Sequence, residues 1–360
     1  MSNLLSNKTI KDYREDFSKK AVEYPLFESS LLKNSMDFEK MELSTFTELT
    51  TAPSGYVKID EIASLSFRLE EIPEFDKEFL EPKSGFGYFA LSNSEKMVFL
   101  DCKNSEKIGF LRISGGKGLT LEPVFIQVPA ITKSSLLINF DLSNGEAAFD
   151  LIRTKVEEGG NLSLYLLFEN FIGKRFVDFS VQLGKESSVN VYPVFLGGPS
   201  SLFLSTHRIY NEKSVLKENL LALLKNNQKG DFRTRVTEEA SQVNVKSEVR
   251  AVFKDSSRAF ISGLLKVKKQ AMKSNSLYSA HCLKLSPNSR VDVEPDLEIE
   301  ALDVTASHSA SISPVDEEKL FYLESRGLDR EKAKKELSSG FLFSSIVEND
   351  YIKEKIEEIL

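Results

Sequence analysis

Three histidines (His207, His281, His308) and two cysteines (Cys102, Cys282) are the side chains of this 360-residue chain best suited to nucleophilic or metal chemistry. Their spacing limits them. No two histidines stand four apart, which excludes a His-Glu-x-x-His helix, and five such residues cannot build a pre-formed Cys/His cage or a disulfide framework. His281 and Cys282 are adjacent, so on a strand they point to opposite faces and cannot act as base and nucleophile together. Both Cys102, beside Asp101 and Lys103, and Cys282 read as buried structural thiols. Neither Gly-x-Gly-x-x-Gly nor Gly-x-Ser-x-Gly occurs. Gly115-Gly116-Lys117-Gly118 has a glycine where a phosphate loop needs a Ser or Thr for Mg²⁺, so it reads as a tight turn. Glu157-Glu158 and Glu238-Glu239 are adjacent pairs that a strand would split across its faces, so they read as solvated turn residues. His308 lies in the run Asp303-Val304-Thr305-Ala306-Ser307-His308-Ser309-Ala310-Ser311-Ile312, where small neighbours leave room for an ion or a second chain to approach it.

The elements that position these residues follow from patterning. With 41% hydrophobic and 28% charged residues the chain has the composition of a folded globular protein, and a formal charge of -7 disfavours phosphate backbones as generic partners. The N-terminal residues Met1 to Lys8 lack the basic start and apolar core of a signal peptide, and two lone thiols suit a reducing compartment. A cytoplasmic location is therefore expected.

Ile10, Tyr13, Phe17, Ala21 and Tyr24 recur at helical spacing within residues 8–33, and residues 36–82 are mixed and linker-like. From about Lys96 to Ser313 the period becomes two. Val177, Phe179, Val181 and Leu183 alternate with polar residues, Gly184 to Ser188 turn the chain, and Val189 and Val191 resume. Similar phrases begin at Gly118, Gly160, Ser241 and Asn288. Short strands without intervening helices exclude a βαβ sheet, and a recurring turn-then-alternation phrase favours a solenoid over a sandwich. Glu218 to Lys225, rich in leucine, fits either a helical turn or a buried strand.

After Ser313 the helical period returns. Ser313 as N-cap, Pro314 at the first helical position and Gly327 as C-cap frame one helix; a second runs from Asp329 through Ala333 and Leu337 to Gly340. Ile352, Ile356, Ile359 and Leu360 stripe a third, and such a tail must dock on the β core, on a partner, or on both.

The stretch Pro295-Asp296-Leu297-Glu298-Ile299, then Asp303 to His308, then Val315-Asp316-Glu317-Glu318-Lys319-Leu320-Phe321-Tyr322-Leu323-Glu324-Ser325-Arg326-Gly327 and Gly340-Phe341-Leu342 strongly resembles the C-terminal signature of the SufB/SufD family of iron–sulfur cluster assembly proteins. The resemblance implies a mainly β fold, a right-handed parallel β-helix over residues 91–313. A helical or irregular subdomain at 1–90 and a helical one at 314–360 would flank it. It further implies that SufB-like and SufD-like chains pair through their β-helices while a SufC-type ATPase binds the helical tails. With two cysteines the chain looks more like SufD.

On that resemblance His308 falls at the position proposed to hold iron or a nascent cluster at the paired interface, with no cofactor held stably by this chain. Leu320, Phe321, Tyr322, Arg326 and Phe341 become candidates for the ATPase contact. Ala306 stands where many members have Cys and Ser309 where most have Gly, reducing the local ligands to His308 and whatever a partner supplies. The expected function is a non-catalytic scaffold. Its rivals are a β-helical carbohydrate-active enzyme and a homodimeric SufB/D-like scaffold without a paralogue.

Overall fold

A computed structural model describes residues 65–69, 82–84, Gly87, Ala90, Leu91 and, apart from short breaks, 98–360. The helix expected over 8–33, nearly all of the 36–82 segment, and Gly115 to Lys117 lie outside the described residues.

Among the described residues seventeen strands occur in chain order: β1 (Leu65–Leu69), β2 (Val98–Cys102), β3 (Ile108–Ser114), β4 (Gly118–Val128), β5 (Lys133–Asp141), β6 (Gly145–Val156), β7 (Asn161–Glu169), β8 (Lys174–Leu183), β9 (Ser188–Leu196), β10 (Ser200–Ile209), β11 (Val215–Leu224), β12 (Lys229–Glu238), β13 (Asn244–Phe253), β14 (Arg258–Val267), β15 (Asn275–Lys284), β16 (Arg290–Ile299) and β17 (Thr305–Pro314). From β2 onward, even-numbered strands pair in parallel in one sheet and odd-numbered strands in another; β1 adds antiparallel to β2. Each strand therefore pairs with the strands two before and two after it, and the chain climbs a parallel β-solenoid one rung at a time. The alternative of a sandwich is set aside by this order.

Alternation specifies the interior. In β8, Val177, Phe179, Val181 and Leu183 face inward, and the same rows of neighbouring rungs form one continuous core. Phe140, Phe168 and Phe195 stack along it with ring centroids 4.8 and 4.6 Å apart, close to the spacing of adjacent strands. Each such pair adds about 0.5–1.5 kcal/mol beyond the area it buries.

One corner of the rung repeats a left-handed residue: Ile131, Gly159, Glu186, Lys213, Gln242 and Lys273 all have φ between 55 and 66°. Each donates its N–H to the corner carbonyl of the next rung, from Glu158, Lys185, Glu212, Ser241, Met272 and Asp303 in turn. That ladder offsets the conformational cost at the five non-glycine positions.

Three helices close the described chain: α1 (Glu317–Ser325), α2 (Arg330–Phe343) and α3 (Asp350–Ile359). Leu342, Ile352 and Ile356 pack on the outer face of the odd sheet against Leu137, Tyr165, Leu167, Val194, Leu221, Leu223 and Val252. This cover explains the leucine run at Glu218 to Lys225. It is strand β11, apolar on both faces because one faces the core and the other faces the helices.

The expected start of the first helix is corrected. Ser313 and Pro314 end β17, whose ladder to β15 runs through Lys284↔Pro314 and then Val315 N–H to the Lys284 carbonyl. The strand ladder thus delays the helix, and Asp316 is the N-cap, accepting from the Glu318 and Lys319 N–H groups. Gly327, at φ 96°, closes the helix as expected, with its N–H on the Glu324 carbonyl and the Leu328 N–H on that of Leu323.

Candidate functional site

Among the described residues the solenoid ends in an open rung, because β16 and β17 are the terminal strands of their sheets. His308 sits at the centre of β17, on the row shared with Tyr278 of β15, which faces the interior. Among the described residues no further rung lies above it, and the imidazole is exposed. Its Nδ1 lies 2.9 Å from the Pro295 carbonyl of β16. A carbonyl only accepts, so Nδ1 carries the hydrogen and Nε2 keeps a lone pair directed away from this bond. A carbonyl-anchored ring is the usual condition of a metal-binding histidine. Among the described residues no three His, Cys, Asp or Glu side chains converge into a metal-holding group. Among the described residues His308 thus stands outside any such group.

Beneath His308 runs a polar column that the sequence reading missed. Glu218, Ser247, Tyr278 and His308 occupy successive register positions of the odd sheet; Ser205, Thr234, Gly263 and Pro295 do so in the even sheet. The two columns meet across the interior. Glu218 accepts from Thr234 Oγ1 at 2.7 Å and from Ser205. The Tyr278 ring fills the place where a Cβ on Gly263 would stand, 2.1 Å from two of its atoms. His308 completes the series at Pro295. The overlooked signal was a polar residue in the inward row of several successive repeats.

Burial pushes the Glu218 carboxyl up, yet hydrogen bonds from His207, Ser205 and Thr234 outweigh it and hold the group below the ordinary carboxylate range. Ser205, His207 and Glu218 have the composition of a hydrolytic triad without its arrangement. Ser205 Oγ and Glu218 Oε2 both contact His207 Nε2, at 2.6 and 3.2 Å, while Nδ1 accepts the Val181 N–H at 3.1 Å. A relay needs nucleophile and acid on opposite ring nitrogens. All three side chains are also buried.

His281 and Cys282 split across the strand as expected: His281 Nδ1 meets Ser311 Oγ at 2.8 Å outside, and Cys282 is in the core. Burial pushes the thiols of both Cys102 and Cys282 up to about 12, with Asp101 adding to the effect at Cys102. Both remain inert thiols. Of the carboxylate pairs, Glu157 and Glu158 do lie at a turn, but Glu238 is corrected. It is fully buried at the end of β12 and accepts from Ser276 Oγ on β15. Its row faces inward, which two adjacent glutamates in a sequence do not reveal.

The tail candidates divide. Phe321, at 72% exposure, and Tyr322, at 56%, stand out from α1 with Arg326, whose guanidinium lies 5.2 Å from the Tyr322 ring centre. Leu320 is fully buried, and Phe341 is half-buried beneath Arg250 and packs against the apolar cluster on the odd sheet. No helix among the described residues is long and apolar enough to cross a membrane.

The described chain is thus a parallel β-solenoid braced by a helical tail, with one carbonyl-anchored histidine on its terminal rung. Residues 111–341 match the family model for the SUF system FeS cluster assembly, SufBD core domain, and the chain belongs to this family. Over 176 residues it is 29% identical to the iron-sulfur cluster assembly protein SufD of Escherichia coli, covering 49% of this chain and 42% of that one. Over 148 residues it is 32% identical to the SufD protein of Bacillus subtilis, covering 37% and 34%. A chloroplastic protein of Arabidopsis thaliana, ABCI7, is 38% identical over 90 residues, or 25% and 19% of the two chains. The matched part thus spans less than half the length of each relative, and the likeness is to SufD.

Proposed function

We propose that this chain is a non-catalytic scaffold subunit of a cytoplasmic iron–sulfur cluster assembly complex. It pairs with a SufB-like chain through its terminal rung, binds a SufC-type ATPase through α1, and lends His308 Nε2 to iron or a nascent cluster. Iron and sulfide are the cargo of this process. The observation that carries the reading is His308 itself, anchored through Nδ1 on the Pro295 carbonyl and exposed on the open end. Family membership and the likeness to SufD support the setting. Two large aromatic side chains held out on a nine-residue helix support the ATPase contact, since such groups dominate the energetics of protein interfaces.

The test is capture of the SUF ATPase from the same organism by the full chain and by a Phe321→Ala/Tyr322→Ala double variant. Capture that falls at least about tenfold in the variant, the effect of losing an aromatic anchor, is the expected result. No capture by the full chain, alone or with its SufB-like partner, sinks the scaffold reading. His308→Ala should leave the complex assembled and lower the cluster yield; an unchanged yield removes the ligand role.

A further inference from the structure

A cavity of about 280 Å³ lies where α2 and α3 meet the turns that follow β11, β13 and β15. No residue of α1 or of β17 lines it. Its walls are of two kinds. Leu223, Leu285, Ile359 and Leu360 form an apolar side, and four lysines, Lys225, Lys254, Lys334 and Lys335, line the other. All four lysines are half-buried.

The solenoid forces two of these lysines together. β11 and β13 pair through Leu224↔Phe253, and the ladder runs on with the Lys254 N–H on the Leu224 carbonyl at 2.9 Å. Lys225 and Lys254 therefore occupy one row of adjacent rungs, about 4.8 Å apart along the ladder. Like charges so opposed repel. The carboxylates nearby do not match them in number. Glu331 serves both Lys254, at 3.6 Å, and Lys334, at 3.0 Å. Asp255 Oδ2 accepts from the Asn226 N–H and is committed to its turn. Lys225 and Lys335 donate to the Ile359 and Glu357 carbonyls, which carry no net charge. Four cations thus line the cavity with two side-chain carboxylates, and they stay in excess when the α-carboxylate of Leu360 is added.

We infer that this cavity is a binding site for a small amphipathic anion. Its head, a carboxylate or a phosphate monoester, lies among the lysines, takes charge-assisted hydrogen bonds from them and relieves the repulsion between Lys225 and Lys254. Its apolar body lies on Leu223, Leu285, Ile359 and Leu360, the mixture of apolar wall and few polar groups that small-molecule sites share. The volume equals that of about nine waters in the liquid, room for a head and a body of about six to eight carbons. Because the cavity touches three consecutive rungs and the last two helices, the bound anion ties the tail to the solenoid. The inference does not rest on the assembly role proposed above.

Isothermal titration calorimetry of the full chain tests it. The probes are octanoate and phenyl phosphate, with acetate and inorganic phosphate as the bare heads, and a Lys225→Met/Lys254→Met variant stands beside the unmodified protein. At least one organic probe should bind with a Kd below about 1 mM, and the tighter of the two identifies the head group. It should exceed its bare head by at least about tenfold, through the apolar side. The variant should weaken it by at least about tenfold. Methionine keeps the aliphatic stem, and removing two like charges in register should leave the fold intact. A second measurement needs no variant: the tighter probe should suppress amine labelling of the four lysines, read by mass spectrometry, and leave the exposed Lys319 and Lys332 unchanged. Failure of both organic probes to bind below about 1 mM overturns the inference. So does a bare head that binds as tightly as its organic probe, or binding that leaves the labelling of all four lysines unaltered.

Discussion

Replacing Glu238 by Gln should remove a pH dependence of stability that is otherwise unusual near neutrality. The carboxyl is fully buried; Oε1 accepts from Ser276 and Oε2 has no partner. Burial, only partly opposed by the Ser276 hydroxyl, raises its pKa from 4.5 to about 7. The native state therefore binds this proton more tightly than the unfolded chain does. Below the unfolded value the group costs nothing; as pH rises through about 4.5 to 7 the cost accumulates, and above 7 all of it is present. At about 1.4 kcal/mol per unit, the loss amounts to about 3 kcal/mol. Gln cannot ionise, and its second amide hydrogen-bonding group adds an offset that does not vary with pH. The measurement is urea unfolding of both proteins at intervals from pH 4.5 to 8. The unmodified protein should lose about 2–3 kcal/mol relative to the variant across that range. A difference that stays flat with pH would refute the claim that Glu238 is buried without a countercharge.

Three further outcomes are expected. Asp178→Asn should destabilise by about 3–5 kcal/mol, seen as a lower Tm, because Arg153, 2.7 Å away and equally buried, would lose its countercharge. The same change should loosen Lys83 and Ser84, since Asp178 Oδ2 accepts from the Lys83 N–H and Ser84 Oγ, and limited proteolysis would report it. Gly263→Ala should cost about 1–3 kcal/mol by driving a methyl group into the Tyr278 ring, with recovery when Tyr278 is also replaced by Leu. Neither thiol should react with a disulfide reagent at pH 8 in the folded protein, and both should react in urea.

Alternation made the strands legible, since a period of two is what a rung with one inward face imposes; β8 and β9 begin and end within a few residues of their phrases. The pattern failed at β11 for a physical reason: helices α2 and α3 cover its outer face, so both rows became apolar. It failed again at Ser313 and Pro314, where good capping chemistry lost to a strand ladder already in place on β15. The column from Glu218 to His308 stayed hidden because it is a property of register, joining residues about thirty positions apart. His308 itself was legible through its small neighbours and the resemblance they carry. The partner of its Nδ1, thirteen residues upstream on the other sheet, was not.

The left-handed corners recur every 27 to 31 residues, and each is tied to the next by a single N–H bond. Such a structure can lengthen or shorten only in whole rungs. An inserted or deleted rung would carry its own corner, its own inward row and one strand for each sheet, and would leave the rungs on either side in register. A change of one residue within a strand would turn the inward row outward beyond that point and put the corner ladder out of step. Evolution of this architecture should therefore proceed by quanta of about thirty residues, with smaller length differences confined to the turns where nothing stacks.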